Sequence, residues 1–273
     1  MRINTNLASL NAQKHLAVQE KRNNQAMKAL ASGSRINSAA DDAAGLAISE
    51  GLRAHNRGNR VAKRNAQDAV SFIQVGEGGL NEINNIMIRL RELGVQSASD
   101  TVGDTEREFI DQEAQQLLSE IDRIASATQY HNKNILDGSV ETLEFQVGVD
   151  GKEHSRIVYD SNADATTSSL GVDGLVFDDK SSSRDGLELL DEAIEKVGGM
   201  RSNFGAMQNR LDSTINNLDS QYESMSAAQS RIKDADIAEE SSKFVSSQIL
   251  QQASVGLLAQ ANQSKLSALS LLK

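Results

Sequence analysis

The sequence predicts a mainly α-helical protein: an elongated, coiled-coil-like antiparallel helical rod with paired terminal helices and a small β-hairpin in the middle of the chain. None of the 273 residues is proline, although average usage of about 5% would give more than a dozen. Because proline interrupts helices, its absence favours long helices over a loop-rich fold. Apolar residues also repeat with helical spacing along three long segments, a period that residues 138–184 lack.

The first 40 residues are predicted to form an N-terminal assembly helix and a connecting segment. Ile3, Leu7 and Leu10 fall on one side of a helix and form an apolar stripe. Gly33 then breaks the helical pattern, and polar residues around Asp41 can cap a new helix. We therefore expect the chain to turn back on itself after the first helix.

Residues 41–137 and 184–235 are predicted to form the two halves of the rod. The first half contains a helix that runs to about residue 97, a turn near Gly103 and a second helix. The heptad of the second half extends over residues 187–232, about 70 Å at 1.5 Å per residue. The heptad of the first half is carried by the apolar residues Ile73, Leu80, Ile83, Met87 and Leu90.

Residues 138–183 are predicted to form a small β element and a surface loop. Apolar residues alternate from Leu143 to Val149, Asp150-Gly151 supplies a turn, and the residues that follow can return as a second strand. The next stretch, DSNADATTSSLGVDG, has the polar composition of a loop.

The last segment, residues 236–273, is predicted to be a C-terminal assembly helix. Leu258, Leu266, Leu269 and Leu272 cluster on one face, and Leu257 widens this apolar stripe. In an antiparallel fold-back the two chain ends meet, and their stripes cover one face each. Since the C-terminal stripe is wider than one partner helix can bury, the remainder indicates contact with other copies of the chain. Head-to-tail contacts that do not close produce a helical polymer.

Composition argues against several other classes of protein. The net charge of −10 and the pI near 5.0 argue against nucleic-acid binding, which needs a basic surface. The basic stretch RAHNRGNRVAKR, residues 53–64, has no interleaved aromatic residues, which favours a solvated helix face. The sequence contains no run of 18 apolar residues, so no membrane span is predicted, and the N-terminus lacks the apolar region of a secretion signal. The protein is therefore expected either to stay in the cytoplasm or to leave by another route.

The sequence also lacks the signatures of catalysis. There is no cysteine, and the four histidines do not form a pair spaced for a metal. The stretch GEGGLNE from Gly76 interrupts a heptad instead of following a strand, so it is interpreted as a tight helix crossing. Residues 234–240, DADIAEE, lack the spacing of a calcium loop and are interpreted as a charged helix face. We expect no enzyme activity, no cofactor and no metal.

The motifs along the chain resemble those of bacterial flagellin. RINTNLASLNAQ is similar to the opening of that family, and ASGSRINSAADDAAGLAISEGLR is similar to its most specific N-terminal motif. In the second half, FGAMQNRLDSTINNL, AAQSRIKDADIAEES, ILQQASVGLLAQANQ and LSLLK follow in the family's order. The resemblance covers nearly the whole chain outside residues 150–185, where many relatives carry outer domains and this chain is short.

This resemblance implies a structural subunit that self-assembles into the flagellar filament after type III export. The implied partners are further copies of the chain, an export chaperone on the C-terminal segment, and the hook-associated and cap proteins. The implied location is the extracellular filament, although a periplasmic or sheathed filament stays open at this point. The alternative function is that of a hook-filament junction protein, which shares similar chain ends.

The stretch RLRELGVQ, residues 89–96, is also similar to a receptor-binding surface. Together with Glu113 it resembles the helix surface by which a vertebrate Toll-like receptor recognises many flagellins, with Arg89, Leu93 and Glu113 at the matching positions. Gly94 replaces the family's usual alanine, at a cost of about 1 kcal/mol in helix propensity. The alternative is an ordinary charged helix face buried between neighbouring subunits.

Overall fold

A computed structural model describes residues 5–140, 142–160 and 163–270, with side chains at all of these positions except 160 and 265–270. Long helices dominate the described residues, and the terminal helices pack against each other. The predicted mainly α class, the paired terminal helices and the β-hairpin are confirmed. The elements in order are α1 (Leu7–Ser32), α2 (Ala43–Ser97), α3 (Asp104–Ala127), β1 (Gln129–Tyr130), β2 (Lys133–Asn134), β3 (Thr142–Gln146), a 3₁₀ turn (Glu153–Ser155), β4 (Arg156–Asp160), α4 (Thr167–Leu170), α5 (Lys180–Lys233) and α6 (Ile237–Ser270).

The chain divides into two compact units. The first, here called the terminal unit, contains α1, α6, the start of α2 up to Asn56 and the end of α5 from Glu223. The second, here called the central unit, contains residues 57–222. The large hydrophobic core lies entirely within the central unit.

The predicted heptad of α2 forms one side of that core. Ile73, Leu80, Ile83, Met87 and Leu90 are all fully buried, and α3 contributes Ile110, Ala114 and Ile121. On α5 the buried positions are Leu190, Val197, Phe204 and Leu211, which continue the heptad read from the sequence. Helical periodicity therefore predicted the core positions of all three helices.

Helices α2 and α5 run antiparallel in the central unit, and two ion pairs fix their register. Lys63 pairs with Asp219 at 2.7 Å, and Arg91 pairs with Asp191 at 2.6 Å. The two pairs are 28 residues apart on both helices, a separation of about 42 Å.

The glycines of GEGGLNE allow close packing, as the sequence predicts. A Cβ atom on Gly76 would lie 2.8 Å from Phe204 Cε2, and one on Gly79 would lie 2.7 Å from Leu136 Cδ1. Gly78 between them faces open space. This α2 segment is a helix crossing and not a phosphate loop.

Strands β3 and β4 form the predicted antiparallel hairpin. Leu143 pairs with Tyr159 and Phe145 with Ile157, and the apolar side chains of one face pack onto the helical core. Burial of Tyr159 raises its pKa to about 12, because the phenolate anion would lose its hydration there.

Residues 163–177 correct the prediction of a surface loop. Six apolar residues of this stretch are buried, and α3 side chains satisfy its backbone. The Asp122 carboxylate accepts the Thr167 N–H at 2.9 Å, and Asp111 accepts the Phe177 N–H at 2.8 Å. The polar composition that suggested a loop instead supplies caps and turns, which let the segment pack without losing hydrogen bonds. The buried residues are Ala163, Ala165, Leu170, Val172, Leu175 and Phe177.

In the terminal unit, α1 ends and the chain reverses at the predicted glycine. Gly33 adopts a left-handed conformation with φ of 68°, and the Asp41 carboxylate then accepts the backbone N–H groups of Asn37 and Ser38. These bonds hold the pKa of Asp41 below its ordinary value, and the bond from Ser38 contributes most.

Residues 234–240 differ from the charged helix face that the sequence suggested. Helix α5 ends at Lys233, and Asp234 forms a β-bridge with Ser34. Asp236 then accepts the Ala238 N–H at 2.9 Å and begins α6. Aspartate is favoured at such a position because its carboxylate satisfies a free helix N–H.

Candidate self-assembly surface

The contact between α1 and α6, here called the α1–α6 seam, is built mainly from small and polar residues. The helices are antiparallel: Asn6 Nδ2 donates to the Ala261 carbonyl at 3.0 Å, and Asn23 Nδ2 donates to Ser247 Oγ at 3.3 Å. Buried and half-buried positions together recur at spacings of three and four along both helices, as in a coiled coil. The most buried ones, each 9% exposed or less, are Ser9, Asn23, Ala26 and Ala29 on α1, and Ser247 and Ser254 on α6.

Most of the large apolar residues of these two helices point away from the seam. Leu7 is 61% exposed, Leu10 53%, Ile249 60% and Leu257 65%. Burial of each in a well-packed contact is worth on the order of 1.5–3 kcal/mol. We call this set the outward apolar surface; its members are Leu7, Leu10, Val18, Met27, Ile237, Val245, Ile249, Leu250, Val255 and Leu257.

This arrangement differs from the mutual covering of leucine stripes that the sequence suggested. Small residues in the seam allow the two helices to approach closely, so the larger side chains lie outside the contact. Polar residues at core positions of a coiled coil fix the register at a cost in stability. The seam therefore orients α1 and α6, while most of their apolar area stays available to another molecule.

The predicted assembly residues fall in different places. Leu7, Leu10 and Leu257 belong to the outward apolar surface, and Leu258 is half-buried beside the seam. Ile3 and Leu272 lie outside the described residues, and the side chains of Leu266 and Leu269 are also outside them.

The middle of α6 adds exposed apolar residues that the predicted leucine stripe does not include. Val245, Ile249, Leu250 and Val255 are each 45% exposed or more, and all four precede the predicted leucine stripe, which begins at Leu257. A signal was present, since residues 244–264 of α6 contain no charged residue at all. A helix without charges over this length is rarely stable alone in water.

The receptor-like positions separate into one ion-paired surface group and one core residue. Arg89 donates from Nε and a terminal nitrogen to Glu113 Oε1, at 3.0 and 2.7 Å, and also to Glu92 at 3.2 Å. The bond to Glu113, more than that to Glu92, raises the pKa of the guanidinium. Arg89 and Glu113 are about half exposed and therefore accessible.

Leu93, in contrast, is 2% exposed and belongs to the hydrophobic core. Its side chain offers no area to a partner, which corrects its placement among surface contacts. Close packing explains the glycine at the neighbouring position 94, because a Cβ there would lie 3.1 Å from both Leu187 Cδ2 and Phe177 Cε1. The helix accepts the weaker propensity of glycine because α5 and residue 177 pack closely against it.

Within the described part of the chain, no group of three or more His, Asp and Glu residues is placed to hold a metal ion. Over the same residues, no helix combines the length and hydropathy needed to cross a membrane.

Comparisons with known proteins agree with this architecture. The model of the bacterial flagellin N-terminal helical region matches residues 3–141, and that of the C-terminal helical region matches residues 187–272. The chain is 42% identical to the flagellin of Halalkalibacterium halodurans over 274 aligned positions that cover all of both proteins. It is 40% identical to the flagellar filament core protein flaB2 of Brachyspira hyodysenteriae, again over the whole of both chains.

A solved structure agrees with the sequence comparison. The crystal structure of Bacillus cereus flagellin superposes with a TM-score of 0.51 and 32% identity, covering 61% of this chain and 94% of that one. Similarity over the entire length of two flagellar filament proteins does not favour the hook-filament junction alternative. The chain belongs to the bacterial flagellin family.

Proposed function

We propose that this flagellin polymerises into the flagellar filament through the outward apolar surface of α1 and α6, with further copies of the same chain as its partners. As a member of its family, the chain is a structural subunit of the bacterial flagellar filament. The observation that carries the proposal is that Leu7, Leu10, Ile249 and Leu257 are each more than half exposed in the subunit.

The chemistry of the surface favours identical copies as the partner. An uncharged stretch such as residues 244–264 can pack against itself without burying an unpaired charge. The surface also surrounds a pre-oriented helix pair, so several copies can pack around each pair. A repeated contact of this kind builds an open helical polymer and not a closed ring when its rotation does not close.

Removal of residues 267–273 tests whether the C-terminal end, which follows the outward apolar surface in sequence, also takes part in assembly. These residues carry Leu269 and Leu272 and follow Ala261, whose carbonyl accepts the Asn6 amide in the α1–α6 seam. We expect the truncated protein to stay folded and soluble, and to form no filaments when it is seeded with fragments and viewed by electron microscopy. Full-length protein under the same conditions is the control, and normal filaments from the truncated chain would refute the role of this end.

Helix α6 also fits the binding site of an export chaperone before assembly. An exposed helix with Ile249, Leu250 and Leu257 on its surface needs cover while it is held at high concentration in the cell. Binding of a flagellin chaperone should be lost on truncation of residues 267–273 and weakened by Leu257→Ser. Unchanged affinity in a calorimetric titration would exclude this segment as the binding site. The hook-associated and cap proteins would meet the same surface at the two ends of the filament.

An extracellular filament is the location that this proposal implies. Microscopy of whole cells with an antibody against the central unit tests it directly. Labelling of intact cells supports an external filament, whereas labelling that requires removal of the outer membrane or a sheath places the filament inside.

Recognition by a vertebrate Toll-like receptor would use Arg89 and Glu113, which are half exposed and adjacent. Arg89→Ala and Glu113→Ala are expected to reduce the response of receptor-bearing reporter cells to purified monomer. Arg123→Ala, which removes an exposed ion pair elsewhere on α3, is the matched control. Absence of a response to the unaltered monomer would remove this interaction.

A further inference from the structure

The central unit carries a row of three exposed arginines on one face of α2. Arg57, Arg60 and Arg64 are exposed, and no ion pair or hydrogen bond joins them to any described residue. At 100° per residue they lie within about 60° of one another, on the face of α2 opposite the buried Asn59, Ala62 and Ala66. Three arginines concentrated on one face contrast with the net charge of −10 of the whole chain.

A row of carboxylates lies on α5 in the same unit. Glu188, Glu192 and Glu195 are exposed, and they too form no ion pair within the described residues. They lie on the face of α5 opposite the buried Leu190, Ala193 and Val197.

The two rows lie far apart within one subunit. Arg60 is close to the Lys63–Asp219 ion pair, and Glu192 follows Asp191 of the Arg91–Asp191 pair. The register set by these pairs places the rows about 45 Å apart along the antiparallel helices. The rows therefore cannot neutralise each other within one molecule.

We propose that the arginine row of one subunit binds the carboxylate row of the next, as an ionic contact between copies of this chain that lie in the same orientation with an axial offset of about 45 Å. This proposal rests on the filament function and assigns to it a second, electrostatic contact. Subunits in one orientation place α2 of one copy antiparallel to α5 of its neighbour, because α2 and α5 are antiparallel within each subunit.

The spacing of the two rows matches in that orientation. The arginines are separated by three and then four residues, and the glutamates, read backwards along α5, are also separated by three and then four. Each row covers about 10 Å, nearly two helical turns. The pairs assigned are Arg57 with Glu195, Arg60 with Glu192, and Arg64 with Glu188.

The next charge on each helix extends the match and fixes its register. Asp68 follows Arg64 by four residues, and Arg184 precedes Glu188 by four, so both rows change sign at the same point. Both residues are exposed. A shift by one helical turn would bring Asp68 opposite Glu188, where like charges repel. Complementary charge thus selects one alignment of the two copies.

Charge reversal in each row tests the contact. Replacing all three arginines by Glu, or all three glutamates by Lys, should raise the critical concentration for polymerisation at least tenfold, equivalent to about 1.4 kcal/mol per subunit. Combining both sets of changes in one chain, or mixing the two variant proteins, should restore assembly. Replacing the arginines by Lys is the matched control, because it keeps the charge on the same face.

Salt separates this contact from the apolar one. In about 1 M NaCl, where the Debye length is about 3 Å, the critical concentration of the unaltered chain should rise, whereas that of a chain with both rows changed to Gln should not. Equal critical concentrations for the unaltered and charge-reversed chains would overturn the ionic contact and leave the filament function intact. Failure of the unaltered chain to polymerise would instead refute the filament function itself.

Discussion

Substitution of two residues of the outward apolar surface provides a quantitative test of assembly. In Ile249→Ser/Leu257→Ser both changed side chains are already largely in water, at 60% and 65% exposure. The folded subunit loses little buried area, so its thermal unfolding should shift only by the lower helix propensity of serine. The filament, in contrast, loses the burial that each side chain gains there.

The magnitude follows from the exposed fractions. Full burial of a leucine or isoleucine side chain is worth about 1.5–3 kcal/mol, so burial of the exposed part is worth about 1–2 kcal/mol per residue. The two substitutions together should weaken each subunit's addition by about 2–4 kcal/mol. Since 1.4 kcal/mol is a factor of ten, the critical concentration should rise roughly 25- to 700-fold.

Sedimentation after seeding measures the critical concentration as the protein left in the supernatant. Gln248→Ser is the matched control, because it introduces serine at an exposed polar position directly before Ile249. It should leave the critical concentration within about threefold of the unaltered value, a difference below 1 kcal/mol. A double variant that polymerises at the same concentration as this control would refute the assignment of the outward apolar surface to assembly.

Three further predictions concern the subunit itself. Gly76→Ala should lower the free energy of unfolding of the central unit, measured in urea, by about 1–3 kcal/mol, because the added Cβ would press on Phe204. Gly78→Ala should instead raise it by about 0.5–1 kcal/mol, because position 78 faces open space. Equal effects of the two substitutions would contradict the tight helix crossing. Burial raises the pKa of Tyr159 from its ordinary 10.0 to about 12, so its contribution to stability is complete below pH 10 and is lost between pH 10 and 12. Tyr159→Phe should remove this alkaline loss of stability, as measured by unfolding followed with circular dichroism. The pKa of Asp41 is lowered on folding, so its contribution to stability is present above its ordinary value of 3.8 and is lost as pH falls through the lower folded value. Asp41→Asn should remove this acid-dependent step, and an unchanged acid titration would contradict the role of Asp41 in holding the turn at residues 37–41.

Periodicity predicted the parts of the fold in which burial alone decides the structure. Ile73, Leu80 and Met87 are core residues because a heptad on a long helix presents one face to its neighbours, and Leu143 and Phe145 alternate because a strand does. These rules need no knowledge of the partner.

Residues 163–177 were not predictable in this way. Their burial depends on Asp111 and Asp122, carboxylates on α3 that accept backbone N–H groups about 45 to 66 residues away in sequence. A polar stretch and a capped, packed segment have the same composition, and only the tertiary contacts separate them.

The assembly surface was predicted in its location at the chain ends but not in its geometry. Sequence alone assigns apolar residues to the inside of the nearest contact. Here the seam is made by residues such as Asn23 and Ser247, and Leu257 lies outside it. The proposed assembly accounts for this inversion, because contacts between copies would bury the apolar area that the helix pair leaves exposed.

The most direct test of that claim is cysteine labelling at Leu257 in subunits and in filaments. The chain contains no cysteine, so Leu257→Cys introduces a single reactive thiol. The account predicts rapid reaction with a maleimide in the subunit, where position 257 is 65% exposed, strong protection in the filament, and recovery of the reaction after the filament is dissociated. Equal labelling rates in the subunit and the filament would contradict burial of this surface between copies.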